Sequence, residues 1–302
     1  MPPTLSGTDA RGLVAATTGR LRASGSPSPR LDAELLVSHA FGRDRAWLLA
    51  HPEAILDSAA AAALSDWVER RESGEPIAYI RGFKEWHSLR VITDRRALIP
   101  RPETELLVDA AIDEIAGRLV RDTEPIAAWE VATGSGAVTL TLALRFRTAV
   151  ALGRVRLAAS DVSAEAVELA SENLEAHGVA DLVALGVGDL LEPAVLPAPL
   201  LPDLVIANLP YLTTEEASTG EGSLRHEPRE ALDGGPDGLA VVRRLLDQLP
   251  GRLAGGGVAL LEIGAGQADA VRAHVAGLGM DATVGTLRDL AGIERVVRVD
   301  GP

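Results

Sequence analysis

Cysteine is absent from the 302-residue chain. That removes disulfides, thiolate metal centres and a cysteine nucleophile from consideration. Aromatic residues make up only 3%, and lysine occurs once, at Lys84, a scarcity that goes with abundant alanine and reads as compositional bias. No apolar run approaches the roughly 20 residues of a membrane span. The start, MPPTLSGTDARGLV, lacks the basic-then-apolar order of a signal peptide. A cytoplasmic protein without a membrane partner is expected. Positive charge is also short. Residues 1–90 balance 11 basic against 11 acidic side chains, and the remainder carries 18 against 32, so the whole net charge of −14 lies there. A phosphate backbone needs a basic surface, so no direct nucleic-acid binding is expected.

What is present is an ordinary globular balance, 47% hydrophobic and 24% charged, in a length that suggests two domains. Residues 9–73 read as helices: Leu13, Val14 and Leu21, then Leu35, Leu36, His39 and Ala40, recur at three-to-four spacing. Ser26-Pro27-Ser28-Pro29 separates two of them, and Asp57-Ser58 can cap another. Ile77–Ile80 and Leu89–Ile92 are short and β-prone, which predicts a hairpin. From residue 126 strands alternate with helices: strands at Ile126–Val131, Val155–Ala159, Leu182–Val187, Leu204–Ala207 and Val258–Ile263, with Ala282–Thr286 and Arg295–Val299 as a final pair. Such alternation predicts an α/β fold with a parallel sheet, helices on both faces and ligands at the carboxyl ends of the strands.

Chemistry is expected at those strand ends. Glu130-Val131-Ala132-Thr133-Gly134-Ser135-Gly136 closes the first strand with a glycine turn that opens a helix N-terminus to a ligand. It lacks the GxGxxG spacing of a dinucleotide site, and a plain strand-to-helix turn is the competing reading. Asp161 at the tip of the second strand is placed to accept ribose hydroxyls; Ser163 already suits the N-cap. Asp189, beside Leu190, ends the third strand, either to meet an adenine amino group or as a solvated loop acid. Asn208-Leu209-Pro210-Tyr211 follows an apolar strand and is a poor continuation of one. It suits a rigid loop presenting an amide, a carbonyl and a ring to a small planar group. The six histidines are scattered with no metal-binding spacing, so no metal is expected.

These segments resemble the protein-(glutamine-N5) methyltransferases of peptide chain release factors (the PrmC/HemK family). The likeness runs through Asp32–Leu36, Gly74–Ile80, Leu98-Ile-Pro-Arg-Pro-Glu-Thr-Glu105, Thr133–Gly136, Asn208–Tyr211, His226–Gly238 and Glu262-Ile-Gly-Ala-Gly-Gln267. It implies a helical domain at 1–76 that docks the release factor, a β-hairpin linker at 77–102, and a seven-stranded Rossmann-like class I methyltransferase domain at 103–302 that binds S-adenosylmethionine. Residues 132–136 would border the methionine part, Asp161 the ribose, and Asp189 or Leu190 the adenine edge. The loop with Arg101 and Glu103 would close over the cofactor, and Glu227 and Arg229 would order the 212–236 loop. Asn208 and the Leu209 carbonyl would each accept one N–H of the substrate glutamine, with Pro210 and Tyr211 packing its amide plane. Two motifs depart from the family pattern: in one, Glu130 and Ala132 stand for Asp and Gly, and in the other Leu209 stands for Pro. An adenine-N6 methyltransferase acting on RNA or DNA is the alternative enzyme, and a non-catalytic cofactor-binding protein a third reading.

Overall fold

A computed structural model describes residues 8–192, 195–196, 200–220 and 222–301. The first seven residues, part of the stretch read as lacking a leader, and Glu221 of the 212–236 loop lie outside them. The described chain divides into two compact units, one from Met1–Phe83 with Glu221–His226, the other from Lys84–Gly220 with Glu227–Pro302.

The first unit is built from helices α1 (Ala10–Ala23), α2 (Pro29–Ala40), α3 (Arg45–Ala50), α4 (Ser58–Glu72) and α5 (Ile77–Arg81). Leu13, Leu21, Leu36, Leu64 and Val68 form its core and are fully buried. Asp57 caps α4 by accepting from the Ala60 amide at 2.8 Å, as its position predicts. Pro29 opens α2 at the first helical position, where its missing N–H costs nothing.

The predicted strand Ile77–Ile80 is a correction: these residues open α5. Ala78, Tyr79 and Ile80 are buried in succession, whereas a half-buried strand would hide every second residue. Pro76 starts the turn and Gly82, at φ +75°, ends it in the left-handed region. The hairpin instead pairs β1 (Phe83–Trp86) with β2 (Leu89–Ile92). His87 and Ser88 between them take φ +47° and +61°, the handedness that matches strand twist in a two-residue turn.

In the second unit α6 (Thr104–Arg121) precedes β3 (Ile126–Val131). The chain continues through α7 (Ala137–Arg145), α8 (Arg147–Ala151), β4 (Val155–Asp161), α9 (Ala164–Ala176) and β5 (Val183–Val187). Then come β6 (Leu204–Asn208), α10 (Thr214–Thr219), α11 (Ala240–Gln248), β7 (Val258–Glu262), α12 (Ala268–Gly277), β8 (Thr283–Arg288) and β9 (Glu294–Asp300). The seven strands lie in the order β5-β4-β3-β6-β7-β9-β8. They run parallel except β9, which is antiparallel to both its neighbours. β3, β6 and β7 are buried on both faces, which explains their unbroken apolar runs. Strand order reverses between β3 and β6, so their carboxyl ends diverge and leave a crevice where such sheets bind ligands. Among the described residues no helix is long and apolar enough to cross a membrane.

Candidate active site

One cavity opens at this reversal, entirely within the second unit. Ala132, Thr133, Gly134, Ser135, Asp161, Asp189, Leu190, Asn208, Leu209 and Pro210 all line it. Residues from four segments well apart in sequence are thereby brought together. Gly136 and Tyr211 do not line it. Gly136 serves packing: at φ +75°, a Cβ there would sit 2.9 Å from Ala170 Cβ, so its absence lets α7 approach α9.

The floor is the glycine turn, held by a buried carboxylate. Glu130 Oε2 accepts from Thr133 Oγ1 at 2.7 Å, from the Thr139 amide at 3.0 Å and from the Thr139 hydroxyl. Burial pushes its carboxyl up to about 7 against the pull of these donors. Ala132 adopts φ +55°, a conformation that costs a residue with a Cβ and that the glycine of the family pattern would adopt freely. The Asn173 amide, fully buried on α9, accepts from the Ile92 amide at 2.7 Å. It donates to the Ile92 carbonyl at 3.0 Å and to the Ser135 carbonyl at 2.9 Å.

Asp161 ends β4 with both oxygens in use, Oδ2 accepting from the Gly134 amide and Oδ1 from the Ser163 amide, each at 2.9 Å. A carboxylate offers about four acceptor sites, so capacity remains for hydroxyls. Burial raises its pKa, opposed by these amides. Ser163 caps α9 as predicted. Asp189 is differently placed: Arg244 holds its carboxylate at 2.5 Å at a half-exposed position, so an adenine amino group would share it with a guanidinium. Leu190 packs in the core at φ +58°.

The opposite wall comes from the end of β6, with Thr104 of α6 beside it. Asn208 Nδ2 donates to Thr104 Oγ1 at 3.0 Å. Among the described residues Asn208 Oδ1 and the Leu209 carbonyl meet no donor. The Leu209 side chain is buried in the core, which anchors this loop where proline would have stiffened it. Gln267 ties the loop down further, donating to the Tyr211 carbonyl at 3.0 Å and accepting from the Gly264 amide at 2.8 Å. Gly238 comes so close that a Cβ there would lie 2.3 Å from the Tyr211 oxygen. The Tyr211 ring lies beside Gly264; burial first, then the Glu262 charge, raises its hydroxyl pKa.

Glu227, its side chain fully buried, accepts from Arg101 at 2.6 Å and from the Ile99 amide at 3.0 Å. It thereby joins the 212–236 loop to the 98–105 segment. Arg229 pairs with Asp233 at 3.3 Å within that loop. Thr104 and Asn173 are site-shaping residues that sequence reasoning gave no role. Asn173 sits inside a helix, where an asparagine is disfavoured unless its amide is used, and that was the available signal.

A family model described as the PrmC N-terminal domain matches residues 13–82. The release factor glutamine methyltransferase of Bordetella pertussis is 39% identical over 268 residues, 89% of this chain and 93% of that protein. The protein of the same name from Deinococcus radiodurans is 38% identical over 289 residues, 95% of this chain and 97% of its own length. Among solved structures, the hMettl16 catalytic domain in complex with MAT2A 3'UTR hairpin 1 aligns with a TM-score of 0.52. It covers 83% of this chain and 86% of that chain at 14% identity, a likeness of fold alone. Sequence identity at this level over nearly the whole of both chains means that the chain belongs to the release factor glutamine methyltransferase family.

Proposed function

We propose that the protein transfers a methyl group from S-adenosylmethionine to the side-chain amide nitrogen (N5) of the glutamine in the Gly-Gly-Gln motif of a peptide chain release factor. The observation that carries this is the pair of open acceptors, Asn208 Oδ1 and the Leu209 carbonyl, on the wall of a cavity that also contains Asp161.

The residues present fit the cofactor. The carboxylates of Glu130 and Asp161 both line the cavity, which suits a cationic ligand. At Gly134 an added Cβ would meet only Ala97, at 3.8 Å, so the backbone there stands open to the cavity. Residues 132–135 would hold the methionine part, Asp161 the ribose, and Leu190 with Asp189 the base. When bound, S-adenosylmethionine supplies an electrophilic methyl group on sulfur.

An amide nitrogen is a weak nucleophile because its lone pair is shared with its carbonyl. What it needs from the protein is therefore orientation and acceptors. Asn208 Oδ1 and the Leu209 carbonyl each take one N–H, which fixes the amide plane and supports positive charge as it develops on nitrogen. Both acceptors are more effective where water is excluded. The N–C bond would form as the S–C bond breaks, with the bonding pair left on sulfur as a neutral thioether, and one amide proton would pass to water. Pro210 lines the same wall and packs against the amide plane. Tyr211 acts one step back, through its carbonyl's bond to Gln267.

Residues 1–76 are assigned to docking the release factor, 77–102 to the linker and 103–302 to methyl transfer. The excess of acidic over basic residues beyond residue 90 favours a protein substrate over a nucleic acid. The cytoplasm is the assigned compartment, since translation termination takes place there. Incubation of the protein with purified release factor and S-adenosylmethionine should add one methyl to the factor's intact mass, localised to the Gly-Gly-Gln peptide. Methyl incorporation into RNA or DNA with none in the release factor would support the adenine-N6 alternative and overturn this reading.

A further inference from the structure

Leu190 lines the cavity with its backbone at φ +58°, a left-handed conformation that a branched side chain keeps only where its surroundings impose it. The residue is 5% exposed, and its carbonyl accepts from Ser160 Oγ at 3.5 Å. Its amide N–H meets no acceptor among the described residues. A buried N–H left open is rare, and this one belongs to a residue bordering the proposed cofactor site.

The chain that begins with α11 grips the turn on both sides of Leu190. Arg244 donates to Asp189 Oδ2 at 2.5 Å. One helical turn on, and so on the same face of α11, Gln248 Oε1 accepts from the Leu191 amide at 3.0 Å. Arg252, just past the helix, donates to the Leu191 carbonyl at 2.8 Å and to the Glu192 carboxylate. The turn also closes on itself, the Asp189 amide donating to the Glu192 carbonyl at 2.6 Å and the Glu192 amide to the Asp189 carbonyl at 3.1 Å. Leu191 is 1% exposed, so its backbone groups would be costly to leave unpaired. Together these bonds fix the strained peptide at Leu190 and with it the direction of the open N–H.

We propose that Gln248 and Arg252, with Arg244, are positioning residues that hold the Leu190 N–H as the donor to ring nitrogen N1 of the cofactor's adenine, an inference that rests on the placement of S-adenosylmethionine given above. Adenine carries an acceptor, N1, beside the donor on its 6-amino group. The turn offers the complement: the Leu190 N–H beside the Asp189 carboxylate, whose Oδ2 is taken by Arg244 and whose Oδ1 meets no donor among the described residues.

The test measures binding to the full chain by calorimetry, with S-adenosylhomocysteine and its 1-deaza analogue, in which C–H replaces N1. Wild type should prefer the parent about 10-fold, the scale of one hydrogen bond whose donor is otherwise stranded. Gln248→Leu and Arg252→Leu should each weaken the parent about 5- to 10-fold and leave the analogue within about twofold, so the preference falls to about twofold or less. Gln248→Glu keeps an accepting oxygen and should keep the preference. The KM for S-adenosylmethionine should rise in step in the two leucine variants, with kcat at saturating cofactor within about twofold of wild type.

Independently of affinity, the Leu190 amide proton in 15N-leucine-labelled wild type should move downfield on binding the parent and stay in place with the analogue. A merely structural fastening would weaken both ligands equally in the leucine variants and leave their ratio unchanged; that result would overturn the proposal. So would wild-type protein that binds the two ligands alike, an outcome that leaves the cofactor assignment standing. Should Gln248→Leu fail to fold, Arg252→Leu and the wild-type ratio still decide. Wild-type protein that binds neither ligand would defeat the functional reading itself.

Discussion

Strands β3 and β7 each carry a buried glutamate near the carboxyl end, and the two are bonded in opposite ways. On the β3 side, one oxygen of Glu130 gathers three donors, all from its own turn and the start of α7. On the β7 side, Glu262 is buried with its Oε2 lacking a hydrogen-bond partner. Burial raises both carboxyl groups to about 7. The same desolvation therefore accompanies a carboxyl that fastens a turn and one that keeps an unpaired oxygen. The shift alone would not tell them apart; the count of donors does.

The largest effect that would break this comparison lies on the β6 wall. Asn208→Ala should lower kcat by about 10²- to 10³-fold, the usual consequence of losing one preorganised polar group, while leaving cofactor affinity near wild type. Rapid-quench methyl transfer and calorimetry together check it. If the substitution weakened the cofactor as much as the rate, the walls would not be functionally separate. On the β3 wall, Glu130→Ala should cost about 3 kcal/mol of stability in urea unfolding, because it strands the buried Thr139 amide and both threonine hydroxyls. A loss well under 1 kcal/mol would remove the fastener.

A pH series sharpens the contrast. Each carboxyl titrates near 4.5 when unfolded and near 7 when folded. Between those values the native state keeps a proton that the unfolded state has released, so their contribution to stability falls as pH rises through that window. Glu262→Gln should therefore gain about 2 kcal/mol relative to wild type between pH 5 and pH 8, measured by urea unfolding at both. A difference that stayed flat with pH would mean that Glu262 is not held above its ordinary range. The smallest effect is expected at Ala132, where replacement by glycine relieves a left-handed backbone. After the added freedom of the unfolded chain is offset, thermal unfolding should show a gain of at most about 1 kcal/mol. A destabilised Ala132→Gly would mean that the Cβ contributes packing that outweighs the strain.

Much of this architecture was legible in the sequence because its strands are buried on both faces. Ile126–Val131, Leu204–Ala207 and Val258–Ile263 stand out as apolar runs, and each lies where β3, β6 or β7 was found. The helix caps at Asp57 and Ser163 are local chemistry and equally visible. Ile77–Ile80 misled because β-branched composition is a weak guide over so short a stretch, and burial on successive residues decided for a helix. The crevice itself follows from strand order, which collected Ala132, Asp161 and Asn208 from segments far apart in sequence.

What sequence alone did not give was partnership. Thr104 and Asn208 are 104 residues apart, and the pairing of Asn208 with Glu262 exists only because β6 and β7 are neighbours. Asp189 reads from sequence as an adenine contact or a solvated loop acid, and neither reading contains its Arg244 partner. Tyr211 reads as part of the reactive motif, yet its ring is turned toward Gly264 and its carbonyl toward Gln267.

The Asn173 amide joins two structures that lie far apart in sequence. Through three hydrogen bonds it rivets β2 at Ile92 to the glycine turn at Ser135. Any breathing of that ribbon must pull on the turn proposed above as the seat of the methyl donor. Deuterium uptake at the Ile92 amide and the residence time of the donor should accordingly rise and fall as one quantity, read at opposite ends of a single side chain.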